Sequence, residues 1–166
     1  MVTVSRAEAL ARLDALAGEW VVAVRFPGQP EQSAAGPDGP DGSGGPVARS
    51  WFEWTLDRQF LVQRTEVPVP EAPDSMAIIA ADLDTGGYTQ HYFDARGVAR
   101  LYAMSLTDGV WTLTRQSPDF TPLDFWQRFT ATISGDGDSI NGQWEKCLDG
   151  TLWEHDFDLV YRRAAD

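Results

Sequence analysis

Cysteine is almost absent: Cys147 is the only one in 166 residues, so neither an internal disulfide nor a cysteine-rich metal site can form. Basic residues are scarce as well, 13 against 25 acidic ones, for a formal net charge of −12. An acidic surface repels phosphate backbones and anionic lipid heads, which argues against nucleic acid and membrane as partners. Long apolar runs are missing too. Met76 to Ala81 is typical of the longest and is far too short to cross a bilayer. Arg6, Glu8, Arg12 and Asp14 break up the stretch from Met1 to Leu16, so no signal-peptide core is legible and a cytoplasmic location is expected. The chain also lacks Gly-x-Gly-x-x-Gly, P-loop and Gly-x-Ser-x-Gly motifs. What it does have is 43% apolar and 11% aromatic content. That is enough for a real core, in a length suited to a single domain over residues 1–166. Arginine outnumbers lysine 12 to 1, with abundant Ala, Gly and Asp, a bias typical of a GC-rich bacterial genome.

Ser5 to Ala17 predicts the one helix. Ser5 is a good N-cap, Glu8 follows three residues later as in a capping box, and Gly18 can end the helix. From Glu19 onward the pattern changes to short runs rich in Val, Trp, Phe, Tyr and Thr, separated by turn residues. The expected strands are Glu19–Phe26, Ala48–Leu56, Phe60–Val67, Ser75–Leu83, Tyr88–Asp94, Val98–Leu106, Val110–Ser117, Phe125–Ser134, Ile140–Cys147 and Leu152–Arg162. Tight turns such as Asp108-Gly109 and Asp149-Gly150 join most of them. About ten strands in this arrangement predict an all-β fold, an antiparallel up-and-down β-barrel that closes on itself and leaves no open edge. Pro27 to Pro46, rich in Pro, Gly and Asp, cannot bury apolar surface. It reads as a mobile loop, with a lid over a site as the alternative.

Side-chain direction follows from turn length, because paired residues share a face. A two-residue turn at Asp149-Gly150 pairs Leu148 with Thr151, Trp144 with His155 and Ile140 with Leu159. Trp153, His155, Phe157, Leu159 and Tyr161 then point inward. The same arithmetic at Asp108-Gly109 pairs Leu106 with Trp111, Met104 with Leu113 and Tyr102 with Arg115. A two-residue loop within Asp94–Gly97 adds His91 and Phe93 to the face of Tyr102. On the eighth strand, Phe125, Phe129 and Ile133 carry Gln127 inside. The expected interior therefore mixes aromatic groups with His91, Tyr102, Arg115, Gln127, His155 and Tyr161. Isolated buried Arg and His are costly unless partnered, so such a set points to a wet cavity or to a ligand.

The segment Leu13-Asp14-Ala15-Leu16-Ala17-Gly18-Glu19-Trp20 resembles the opening of lipocalin-like (calycin) domains, where a short helix leads into Gly-x-Trp on the first barrel strand. His91-Tyr92-Phe93-Asp94-Ala95-Arg96-Gly97-Val98 and Trp153-Glu154-His155-Asp156-Phe157 look like segments of uncharacterised bacterial proteins of this type. The resemblance implies a barrel with an interior pocket and no particular activity. Fatty-acid-binding proteins are distantly similar and hold a carboxylate with inward Arg and Tyr, roles that Arg115, Tyr102 and Tyr161 can imitate. Nitrobindins are similar barrels that bind haem through an inward histidine, a role open to His155. Their alternating glycines are replaced here by Val21-Val22-Ala23-Val24.

The expected function is a small-molecule binding protein with a partly hydrophobic ligand in the barrel, held by His155, His91, Arg115, Tyr102, Trp144, Trp153, Tyr161 and Gln127. One alternative is an enzyme using His91 or His155 as general acid or base in the same pocket, with its other catalytic groups unknown. Another is a haem protein. No cofactor or metal is expected, since His91 and His155 lack compact ligand spacing and Asp136 and Asp138 lack the rest of a calcium loop. Cys147 falls on the outer face with no base beside it, which does not suit a nucleophile.

Overall fold

Ser5 opens the chain's first element. In the computed structural model, which describes residues 3–27, 47–70 and 72–165, helix α1 spans Arg6–Arg12. The Ser5 hydroxyl accepts from the Glu8 backbone N–H at 3.2 Å, and the Ser5 N–H donates to the Glu8 carboxylate at 2.8 Å. This reciprocal capping box satisfies two otherwise orphaned groups. The helix is shorter than expected because it tightens into a 3₁₀ turn over Leu13–Ala15. Gly18, at φ +117°, then turns the chain into the first strand, a conformation that favours glycine.

Ten strands follow: β1 Gly18–Arg25, β2 Ala48–Thr55, β3 Phe60–Glu66, β4 Ser75–Asp82, β5 Gly87–Asp94, β6 Ala99–Thr107, β7 Val110–Arg115, β8 Trp126–Ile133, β9 Ser139–Cys147 and β10 Glu154–Arg163. Each pairs antiparallel with the next, and β10 pairs with β1 from Trp20↔Arg163 to Arg25↔Asp158, closing the barrel. Of the expected loop at 27–46, residues 28–46 lie outside the described residues. No helix among the described residues is long and apolar enough to cross a membrane.

Helix α1 and its 3₁₀ turn plug one end of the barrel. Ala9, Leu13 and Leu16 are buried with Trp20, Phe52, Leu61, Ile79 and Tyr88. The Tyr88 hydroxyl donates to the Ala9 carbonyl at 2.5 Å, and the Trp20 indole N–H donates to the Leu16 carbonyl at 2.8 Å. Arg163 stacks 4.0 Å above the Trp20 ring and donates to the carbonyls of Ala15 and Ala17.

Hairpin geometry decides what faces inward. At Asp108-Gly109 both residues have positive φ, +53° and +76°, as a type I′ turn requires. Leu106↔Trp111 and Met104↔Leu113 pair as expected. Two other hairpins correct the sequence reading. Asp94 N–H donates to the Val98 carbonyl and Gly97 sits at φ +84°. This is a three-residue loop with a left-handed third residue, and the extra residue reverses the face. Tyr88, Gln90 and Tyr92 pair with Met104, Tyr102 and Arg100, while His91 and Phe93 point outward. Between β9 and β10, the Asp149 carboxylate accepts from the N–H groups of Thr151 and Leu152 at 2.8 and 2.9 Å. It holds a loop longer than the expected two-residue turn. A bulge between His155 and Phe157 follows, so Phe157 rather than His155 pairs with Trp144, and Tyr161 rather than Leu159 pairs with Ile140.

Candidate ligand cavity

Alternation along the strands brings one set of side chains to a cavity of about 350 Å³ inside the barrel. It extends toward the end opposite α1, where Val24, Ser75, Tyr92 and Arg100 sit near strand ends. Four expected residues line it: Tyr102, Gln127, Trp144 and Tyr161. The aromatic wall is built from ring contacts: Phe129 stacks on Trp144 at 5.1 Å, Trp111 meets Phe129 edge-on at 5.1 Å, and Tyr102 meets Trp144 at 5.8 Å.

The other four expected residues do not line the cavity. The bulge turns His155 out of the barrel, where its Nε2 lies 2.7 Å from the Asp158 carboxylate. Trp153 precedes that bulge; its ring packs on Trp126 at 6.3 Å, with the Arg128 guanidinium 4.1 Å away. His91 is on the outer face of β5, its ring 6.4 Å from Phe120. Arg115 does point inward and is buried, yet its charge is already paired. Nε and Nη2 each bond the Asp119 carboxylate at 2.8 Å, and Nη2 also donates to the Thr121 and Pro122 carbonyls.

That ion pair has an architectural role. Asp119 also accepts from Leu101 N–H at 2.8 Å, and the Thr121 hydroxyl donates to the Ala99 carbonyl at 2.6 Å. The segment after β7 thus replaces strand pairing along the start of β6. Both chain oxygens of Asp119 are committed, and its carboxyl is held well below the usual carboxylate range, first by Arg115 and then by backbone N–H groups, against the opposing effect of burial. Neither of the chain's two histidines lines the cavity. An interior haem held by His155, or acid–base chemistry there by His91 or His155, therefore does not fit these residues.

Sequence reasoning missed several lining residues: Gln63, Thr65, Gln90, Tyr92, Arg96 and Arg100. Arg100 carried a usable signal, since it stands two residues from Tyr102 and so shares its face. Gln90 and Tyr92 were hidden by the loop length at Asp94–Gly97. At the rim, Asp94 accepts from the Tyr92 hydroxyl at 2.9 Å and from Arg96 Nη2 at 2.7 Å. Burial alone would raise the Asp94 carboxyl, but hydrogen bonds from Arg96 and Tyr92 hold it down at about 2. The cavity tyrosines shift the other way. Burial pushes Tyr161 up to about 12, slightly offset by Gln63, and burial likewise raises Tyr102 and Tyr92. Their hydroxyls stay protonated and can donate.

Three buried polar atoms of lining residues have no hydrogen-bond partner among the described residues: Gln90 Oε1, Arg100 Nε and Trp111 Nε1. Buried polar atoms are ordinarily paired, and an unpaired one costs about 1–3 kcal/mol.

No protein-family model matches the chain, and no curated protein matches it. Among solved structures it is similar to Rv2717c from M. tuberculosis, with a TM-score of 0.57 at 15% sequence identity, covering 95% of this chain and 98% of that one. At that identity the likeness is one of fold alone.

Proposed function

We propose that this protein is a lipocalin-like, single-domain binding protein that holds one small, partly hydrophobic molecule inside its barrel. The observation that carries this reading is the wall of the 350 Å³ cavity, where Trp111, Phe129, Trp144 and Phe157 stand beside buried polar atoms that lack partners. Its volume falls in the lower part of the range of small-molecule sites, about 300–1,000 Å³. A wholly apolar cavity needs no occupant to satisfy it. This one leaves a donor on Trp111 and an acceptor on Gln90 to be met by something else. Tyr102, Gln127, Trp144 and Tyr161 keep the ligand-contacting role expected of them, and Arg100 takes the place given to Arg115.

Trp111 and Trp144 report on occupancy, because both line the cavity. Titration with a panel of aromatic acids, flavonoids and fatty acids, followed by tryptophan emission, is expected to give a saturable change at one molecule per chain. Mass spectrometry under native conditions should find the same stoichiometry. Emission that stays flat across the panel, with no co-purifying small molecule, contradicts the reading.

A further inference from the structure

The acid–base balance of the cavity is opposite to that of the molecule. The chain carries 25 acidic and 13 basic residues, yet among the described residues no Asp or Glu lines the cavity while Arg96 and Arg100 do. Arg96 is neutralised by Asp94, whose side chain is fully buried, at 2.7 Å. Arg100 has no carboxylate partner among the described residues. Its Nη1 donates to Gln127 Oε1 at 3.3 Å, its Nε is unpaired, and its guanidinium lies 5.9 Å from the Phe125 ring. The Tyr102 hydroxyl donates to the same Gln127 oxygen at 3.0 Å. One charged and one neutral donor thus converge on a single neutral amide oxygen.

A guanidinium left half-buried against a neutral acceptor is under-compensated, because hydrogen bonds between ionised partners are roughly twice as strong as neutral ones. An anionic oxygen placed there gains the Arg100 donors, including the unpaired Nε, without meeting a lining carboxylate among the described residues. The rest of the wall is ring surface, with Phe129 stacked on Trp144 at an interplanar angle of 25° and Trp144 tilted against Phe157 at 6.4 Å. Flat rings suit such a wall, and the cavity volume suits a compact molecule.

From this geometry we infer that the ligand is a compact aromatic organic anion, its acid group seated at Arg100 beside Tyr102 and Gln127. This inference rests on the binding reading above and names the chemical class that reading leaves open. It also separates two arginines that look alike in the sequence. Arg115 is charge-paired with Asp119, and Arg100 lines the cavity without a carboxylate partner among the described residues.

Two fluorescent probes that share one body isolate the charge: 8-anilino-1-naphthalenesulfonate and the neutral N-phenyl-1-naphthylamine. The full chain is expected to bind the sulfonate at least about tenfold more tightly, as one charge-assisted hydrogen bond implies, even though a net charge of −12 opposes any anion from a distance. In Arg100→Met the ratio of the two affinities should fall to about one, and Arg100→Lys should restore part of it. Equal or tighter binding of the neutral probe by the unmodified chain overturns the inference and leaves the binding reading intact, as does a folded Arg100→Met that keeps the preference. Saturable binding of neither probe overturns both. If Arg100→Met does not fold, the affinity ratio in the unmodified chain still decides the matter.

Discussion

Arg115 and Asp119 show how a residue that looks functional can be structural. Their side chains are 1% and 4% exposed, and removing one partner of such a pair strands a buried charge at a cost of about 3–5 kcal/mol. Asp119→Ala should lose about that much in urea unfolding at neutral pH. The sign of the pH effect follows from the depressed carboxyl. A group ionised more readily in the folded state stabilises above its ordinary value of 3.8, and that contribution fades as pH falls through the folded value. Unfolding curves on the acid side should therefore be steeper in pH for the unmodified protein than for Asp119→Ala. His155 is the opposite case, expected inside and found outside. With its imidazole on Asp158 at the surface, His155→Ala should leave probe affinity unchanged and shift stability by no more than about 0.5 kcal/mol. A lost cavity ligand in that variant contradicts the register described here.

At the level of elements, the strand bounds were legible and the faces only partly so. All ten expected strands correspond to β1–β10, because runs of β-branched and aromatic residues between turn signals are read without knowing any pairing. Facing depends on loop length to the single residue. Asp108-Gly109 allowed only one reading and placed Trp111 and Leu113 correctly. Asp94-Ala95-Arg96-Gly97 fits loops of two or three residues, and only the left-handed Gly97 distinguishes them. That ambiguity moved His91 in and Gln90 out. The β9–β10 connection is held by side-chain hydrogen bonds to Asp149 and followed by a bulge, neither of which leaves a mark in a pattern of apolar residues. The helix was read well, since a capping box is local chemistry. Ser5→Ala should cost about 1 kcal/mol in thermal or urea unfolding. Gly142 carries a tighter demand. A Cβ there meets the ring of Phe129, which stacks on Trp144 at the cavity wall. Gly142→Ala should destabilise by about 1–3 kcal/mol and shift tryptophan emission, a pair of changes that unfolding and fluorescence measure together.

On the scale of the whole molecule, the barrel combines a sealed end with a hollow one. Trp20, Phe52, Leu61 and Ile79 fill the end beneath α1 with fully buried side chains, while the cavity beyond them is lined by rings, amides and hydroxyls. The far half carries unpaired polar atoms that stability alone does not select. Filling that space without disturbing the sealed end tests the claim that the barrel interior is the binding site. Leu159 lines the cavity from β10, so Leu159→Trp occupies the void from its wall. Titration of 8-anilino-1-naphthalenesulfonate into the unmodified protein and into a Leu159→Trp variant with unchanged far-ultraviolet circular dichroism is the most direct measurement. Saturable one-to-one binding that the variant loses is the predicted result, and equal affinity in both proteins contradicts it.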